Sequence, residues 1–319
     1  MTKDCDAVVV GGGLEGCVAA IALGRAGKKV VLLENGGSLG GMATNGLCSY
    51  IPATKPNGTL SARGLRAELL AAAGAGGSDG PTLYDEQRMK LVLAKSLGAA
   101  GVRPLTHVFA SSTILEGGKP AGVVVKGKVG AFELRAPRLV DATDLMETAE
   151  GLGVEVGFER RAIGLGVKMN EIDFARLRAS REPAGPAASL CSLAFPRRWD
   201  VGGLRVFTDE LLLLCDEGRD QLIIHGLKAE ASGAEPLLLS ALLMRMRICA
   251  YRLLEELRAS EPGFSRARII HAATRLDLRG LRRLARGTRV PRGVSFCCDA
   301  PGPYDNASAI ERGLAAAFN

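Results

Sequence analysis

Aromatic residues make up only 4 % of the chain, with a single tryptophan, Trp199. That scarcity argues against the stacking platforms on which single-stranded nucleic acid is held. Histidine is rarer still, at His107, His225 and His271. The eight cysteines (5, 17, 48, 191, 215, 249, 297 and 298) contain no C-x-x-C pair. Clustered ligands for a structural zinc are therefore missing, and no metal is expected. Scattered thiols fit a reducing compartment. Long apolar runs are missing too. The first one, "DAVVVGG", passes straight into glycine and is too short for a signal peptide or a membrane span. A soluble, cytoplasmic protein with no membrane partner is the expectation.

What is present is ordinary globular composition over 319 residues, 47 % hydrophobic and 24 % charged, with a formal charge of +7. The basic excess suits anionic ligands, and also suits a plain solvated surface. Ala7 to Val10 reads as a buried strand, Leu14 to Ala26 as a helix closed by Gly27, and Lys29 to Leu33 as a second strand. This β–turn–α–β start predicts an α/β fold with a doubly wound parallel sheet. Arg63 to Ala73 predicts a helix, and Asp85 can cap another over Glu86 to Ala99. Strand signals then crowd together ("VRPLTHVFA", "AGVVVKGK", "AFELRA", "RLVDAT"), as in a small antiparallel crossover layer. The middle of the chain is hard to read. "LRVFTDE" and "QLIIHGL" look like strands, and Pro236 to Leu257 is the longest helical pattern. The expected organisation is a discontinuous Rossmann-like unit, residues 1–150 and 265–319, with an inserted α+β substrate or cap lobe, residues 151–264.

The chemistry-bearing stretch is Gly11-x-Gly13-x-x-Gly16 between the first strand and helix. The first glycine makes the tight turn, the second lets backbone approach a pyrophosphate, and the third allows close helix–strand packing. The helix N-terminus then offers N–H groups and partial positive charge to phosphate. Glu34, ending the second strand, can accept from an adenosine ribose. A nicotinamide site would proceed directly into its next helix. Here "NGGSLGGMAT" follows, with Gly40 and Gly41 permitting a second close backbone approach and Thr44 adding a hydroxyl. A longer ligand running on from the same pyrophosphate fits that loop, and FAD is longer in this sense. A plain flexible loop is the competing reading.

These residues resemble the glutathione-reductase-type flavoproteins with two dinucleotide motifs, and within them the FAD-dependent oxidoreductase family. Gly40, Gly41 and Thr44 match that group's pattern, while Asn35 stands where a basic residue is usual. "YDEQRMKLVLAKSLGAAGVRPLTHVFA" resembles the next block, which implies that the Val108 backbone faces the adenine. "APRLVDATD" is similar to the group's "IDATGD", with Asp144 in place of glycine. "VSFCCDA" stands where the second flavin motif belongs, which implies Asp299 as a ligand of the ribityl hydroxyls. Cys298 again replaces a glycine. The resemblance implies non-covalent FAD. A last helix starting near Asn306 and Ala307 would point its amides at the flavin's pyrimidine edge, or would simply pack on the sheet.

Catalytic candidates are Asn45 and Cys48, which follow Thr44, together with His271 and Arg275. Three of them have a structural alternative: a packed thiol for Cys48, a core histidine for His271 (as for His225), and an arginine in an ion pair for Arg275 (as for Arg282 and Arg283). The expected activity is removal of hydride equivalents from a small organic substrate of amine or alcohol type, with the electron acceptor open. A homo-oligomer is compatible with the sequence. Two alternatives stay open: a flavoprotein modifying nucleic acid such as tRNA, with the basic tract Arg275 to Arg292 in support, and a flavin-binding protein without redox turnover.

Overall fold

Four small or β-branched residues with no polar interruption form β1 (Ala7–Val10), buried on both faces as a central parallel strand requires. In the computed structural model, which describes residues 2–51, 64–74, 82–180, 190–297 and 306–318, α1 (Leu14–Arg25) follows directly. Its end is sharply defined. Gly27 takes φ +77°, its N–H donates to the Gly24 carbonyl at 2.9 Å, and the Lys28 N–H donates to the Leu23 carbonyl at 3.1 Å. That double bond is a Schellman termination, which needs a residue tolerant of the left-handed region. The chain then turns into β2 (Val30–Glu34) alongside β1.

The helix expected over Arg63 to Ala73 spans Gly64–Ala72 among the described residues. Asp85 caps α2 (Glu86–Ala99) as its position predicts, accepting from the Gln87 and Arg88 N–H groups at 2.7 and 2.9 Å. β3 (Arg103–Thr106) adds to the free side of β2. Three antiparallel strands, Phe109–Glu116, Lys119–Gly127 and Gly130–Arg135, form the crossover layer with Thr2–Asp4 at its edge. β4 (Arg138–Asp141) then returns to the far side of β1.

The second large sheet is built from β5 (Arg161–Asn170), β6 (Leu190–Val201), β7 (Leu204–Asp216) and β8 (Gln221–Ala231). α3 (Pro236–Ser260) covers it, burying Leu242, Met246, Cys249, Leu253 and Leu257 at helical spacing. β9 (Arg268–Ala272) joins the β5 edge, giving an antiparallel order β6-β7-β8-β5-β9. The sequence reading missed β5 and β6. Gly164 and Gly166 dilute one, and Pro196 with a register shift between Ala194 and Arg197 breaks the alternation of the other. Finally β10 (Val294–Phe296) pairs with β4, completing a parallel sheet of order β10-β4-β1-β2-β3, and α4 (Asn306–Phe318) packs on α1. Among the described residues no helix is long and apolar enough to cross a membrane.

The two sheets meet at the loop Asn45–Leu47. The Thr274 N–H donates to the Asn45 carbonyl at 3.1 Å, and the His225 ring bonds the Leu47 carbonyl at 3.0 Å. A buried ion pair, Lys168 of β5 with Glu86 at the start of α2, ties the same units together.

Glycine at position 16 is set by contact, since a Cβ there would overlap the Gly11 carbonyl oxygen; at position 27 it is set by φ alone, with open space around it. Gly16→Ala is expected to cost about 3 kcal/mol by overpacking backbone that cannot yield. Gly27→Ala is expected to cost about 1–2 kcal/mol of left-handed strain. Urea unfolding of the two variants checks the order, and a more damaging Gly27→Ala contradicts it.

Candidate functional site

The glycine turn, the Glu34 loop and the Asp141 loop converge at the carboxyl ends of the parallel strands, where α/β sheets take their ligands. Gly11 sits at φ +99°, and a Cβ on it would lie 2.6 Å from the Ala142 carbonyl oxygen. Gly13 caps α1 with no side-chain hydrogen bond, so no side chain of the turn satisfies the first-turn N–H groups. The Gly40 N–H donates to the Gly12 carbonyl at 2.8 Å, and a Cβ on Gly41 would meet the Gly13 Cα at 3.0 Å. The second glycine pair is thus laid backbone against backbone on the first. An uncapped helix start framed by bare backbone fits a diphosphate.

Glu34 is buried and fully oriented. Its two oxygens accept from the Gly12 and Gly36 N–H groups at 2.8 and 2.7 Å. Arg275 lies over its outer edge, with Nη1 3.5 Å from Oε1, while Nη2 donates to Asp144 at 2.8 Å. Asp144, the departure from glycine in "VDATD", therefore anchors a guanidinium beside Glu34. The Asp144 and Glu34 carboxylates raise the Arg275 pKa, keeping it charged. Asp141 accepts four bonds from the N–H and hydroxyl groups of Thr143 and Thr148, at 2.6–2.9 Å. These donors offset much of the burial that pushes its carboxyl upward. Glu147 keeps an exposed surface. Even so, desolvation first, and then the Asp141 and Asp144 carboxylates, push it up to about 7.

Among the described residues, three hollows border this framework. The smallest, about 20 Å³, is bounded by Gly11, Glu34, Asn35, Val108, Thr143, Glu147 and Arg275. A second, about 660 Å³, is bounded by Asn35, Asn45, Lys90, Asp144, His271 and Arg275. The largest, about 750 Å³, lies between the loop after Thr44 and the antiparallel sheet, and reaches Met42, Cys48, Arg161, His225, Lys228 and Asp277. In it the His225 ring sits with Nε2 on the Leu47 carbonyl, an acceptor only, so Nε2 carries the proton. Burial lowers the His225 pKa, and the Leu47 carbonyl partly restores it, leaving a neutral imidazole. Burial raises the Asp277 carboxyl, against the pull of Arg279.

The residues expected from sequence separate between these hollows. Cys48 lines the largest, while Asn45, His271 and Arg275 line the second; Asn45 is tied there by the Ser38 hydroxyl at 2.9 Å. Burial pushes the Cys48 thiol up to about 12, so it is not a thiolate at neutral pH. The Thr44 hydroxyl is buried and donates to the Leu39 carbonyl at 2.7 Å, shaping the loop rather than facing outward. The Val108 N–H donates to the Glu34 carbonyl at 3.1 Å at the rim of the smallest hollow. α4 begins at Asn306 and continues through Ala307. Asp299 and Cys298 lie outside the described residues. Sequence reasoning missed Glu15, Arg279, Arg312 and Asp277. One signal was available for Glu15: a carboxylate in the first turn of a phosphate-binding helix is itself an anion at an anion site.

Residues 6–285 match the family described as FAD dependent oxidoreductase. A thiamine thiazole synthase of Methanococcus aeolicus is 31 % identical over 151 residues, 44 % of this chain and 55 % of that protein. Protein FixC of Salmonella typhi is 27 % identical over 237 residues, 67 % of this chain and 54 % of that protein. The chain thus spans about half the length of these curated relatives. Among solved structures, a geranylgeranyl bacteriochlorophyll reductase-like protein from Thermoplasma acidophilum shares the fold. Its TM-score is 0.62 at 14 % identity, covering 99 % of this chain and 78 % of that one.

The Glu147 environment sets a pH dependence. Its folded-state pKa lies above the ordinary 4.5, so the native state holds the proton more tightly and stability falls as pH rises from about 4.5 to about 7. Because the residue is solvent-reachable, the effect should stay within about 1 kcal/mol. Urea midpoints at pH 5 and pH 8 should differ in that direction for the natural protein and converge in Glu147→Gln. A natural protein gaining stability across this window would contradict the assignment.

Proposed function

The chain belongs to the FAD dependent oxidoreductase family, and we propose that it oxidises a small polar molecule at an amine- or alcohol-bearing carbon. The supporting observation is the 750 Å³ cavity, which sets a neutral imidazole and a carboxylate opposite a loop that continues from the dinucleotide turn. Its walls mix charges of both signs, with Glu159, Glu210 and Asp277 facing Arg161, Lys228 and Arg283. Such a lining suits a compact polar substrate better than a long hydrocarbon.

FAD is the cofactor, and when bound it supplies the acceptor for two electrons as hydride. The chain's own residues do the remaining work. Because Nε2 of His225 is committed to the Leu47 carbonyl, Nδ1 holds the lone pair and takes the proton from the substrate's O–H or N–H. Loss of that proton together with hydride leaves a carbonyl or imine carbon. Asp277 accepts from an amine or hydroxyl hydrogen and orients it. Lys228 and the Arg161 guanidinium meet an acidic group elsewhere on the molecule. Met42, Leu165 and Leu212 supply the apolar wall that limits water beside the reacting carbon.

An absorption spectrum of the purified protein, followed by acid release and chromatography, should show FAD; a colourless protein that takes up none overturns the reading. With a donor in hand, His225→Gln should lower kcat by roughly 10²–10⁴-fold while FAD content stays unchanged. In the natural enzyme the acid limb of kcat/KM should fall below pH 6.5, the ordinary histidine value, since burial lowers this imidazole's pKa. A limb above that value, or one that survives in His225→Gln, assigns the base elsewhere.

A further inference from the structure

Glu15 stands in the first turn of α1, where the uncapped N–H groups face the place of a diphosphate. Its side chain is buried, and its Oε1 accepts from Arg279 Nη1 at 3.0 Å and from Arg312 Nη2 at 2.9 Å. The other oxygen folds back over the turn, within 3.6 Å of where a Cβ on Gly13 would sit. One carboxylate oxygen thus collects two guanidiniums, from distant parts of the chain, in the first turn of the helix. Arg279 comes from the segment Thr274–Gly280, which runs between the two large cavities, and Arg312 comes from α4.

The same segment makes a second contact of the same kind. Arg275, four residues before Arg279, lies over Glu34 at 3.5 Å. The two acids of the dinucleotide turn, one at the ribose position and one at the phosphate position, are therefore both met by arginines of a single strap. An anionic oxygen that gathers charged N–H donors is chemically what a phosphate offers in that place.

Resting on the FAD reading above, we propose that Glu15 is an internal surrogate for the cofactor's pyrophosphate. It holds Arg279 and Arg312 at the phosphate end of α1 until FAD takes them over. Loading is an exchange of ion-pair partners. The diphosphate oxygens receive the two guanidiniums and the helix N–H groups, and Glu15 gives up its share. At the other end of the strap, the ribose diol replaces Arg275 at the outer edge of Glu34, and Arg275 remains on Asp144. No bond is made or broken covalently and no proton is transferred. The arginines thereby become positioning residues for the cofactor, and Glu15 sets how tightly the protein holds it.

The test is FAD binding to apoprotein, followed by quenching of flavin fluorescence, with riboflavin as a probe that lacks phosphate. Glu15→Gln keeps the side chain's shape and removes the competing charge, so FAD should bind about tenfold more tightly, with riboflavin unmoved. Arg279→Gln and Arg312→Gln should each weaken FAD by about tenfold, again without changing riboflavin. Circular dichroism and thermal unfolding of each apoprotein establish that the variants fold, and Glu15→Gln should lower the apoprotein's Tm because the buried Arg279 and half-buried Arg312 guanidiniums lose a shared counterion. Unchanged or weaker FAD binding by folded Glu15→Gln overturns the surrogate role, even if the natural protein binds FAD well. Should the natural protein fail to bind FAD while Glu15→Gln binds it, the surrogate role is upheld in its strongest form. Failure of both overturns it together with the cofactor reading.

Discussion

The dinucleotide half of this protein depends on one constraint: backbone must lie against backbone where the turn, the helix and the second glycine pair meet. Gly11 is pressed on Ala142, Gly16 on Gly11, and Gly41 on Gly13. No side chain can be interposed at these points without separating β1 from α1 or from the β4 loop. Because the contacts are made by backbone, they leave the start of α1 without a side-chain cap. Asp141, holding four donors from Thr143 and Thr148, stiffens the opposite wall. Rigid walls of this kind let a mobile ligand be recognised by fixed dipoles rather than by rearrangement.

Electrostatics fill the space that the glycines open. The crevice contains Glu15, Glu34, Asp141, Asp144 and Glu147, a density of carboxylates that would be costly alone, and the strap arginines 275 and 279 with Arg312 offset it. Each of these cations comes from the last fifty residues of the chain, and each acid from the first half. The charge balance of the site is therefore a tertiary property. It exists only when distant segments have met, which is why neither the basic excess nor the acid spacing in the sequence could announce it.

That separation also explains what was legible in advance. The first strand, helix and turn could be read because short-range rules govern them: a β-branched run, a glycine where φ is positive, an Asp at a helix start. Capping of α2 by Asp85 and the closing of α1 by Gly27 are local events of this type. β5 and β6 escaped because a glycine-diluted strand and a bulged, arginine-bearing strand carry no clean period of two. In the candidate site, Glu34 was legible as the acid ending a strand after a glycine turn. His225 and Asp277 were not. They reach one cavity from a strand and a loop more than fifty residues apart, and nothing in either neighbourhood marks them as partners.

The parallel sheet takes its outer strand, β10, from near the end of the chain, and α4 comes later still. During synthesis β4 must therefore wait as an exposed edge while some 150 further residues are made, about eight to thirty seconds at ordinary elongation rates. The antiparallel sheet, whose strands β6, β7 and β8 are sequential neighbours, can assemble in that interval through short-range contacts. An unpaired strand edge held open for that long is a site for pairing with other chains. The order of strands along the chain thus leaves this edge open until β10 is made, after which α4 packs on α1 and Arg138 donates to the Ala316 carbonyl in the last turn of α4.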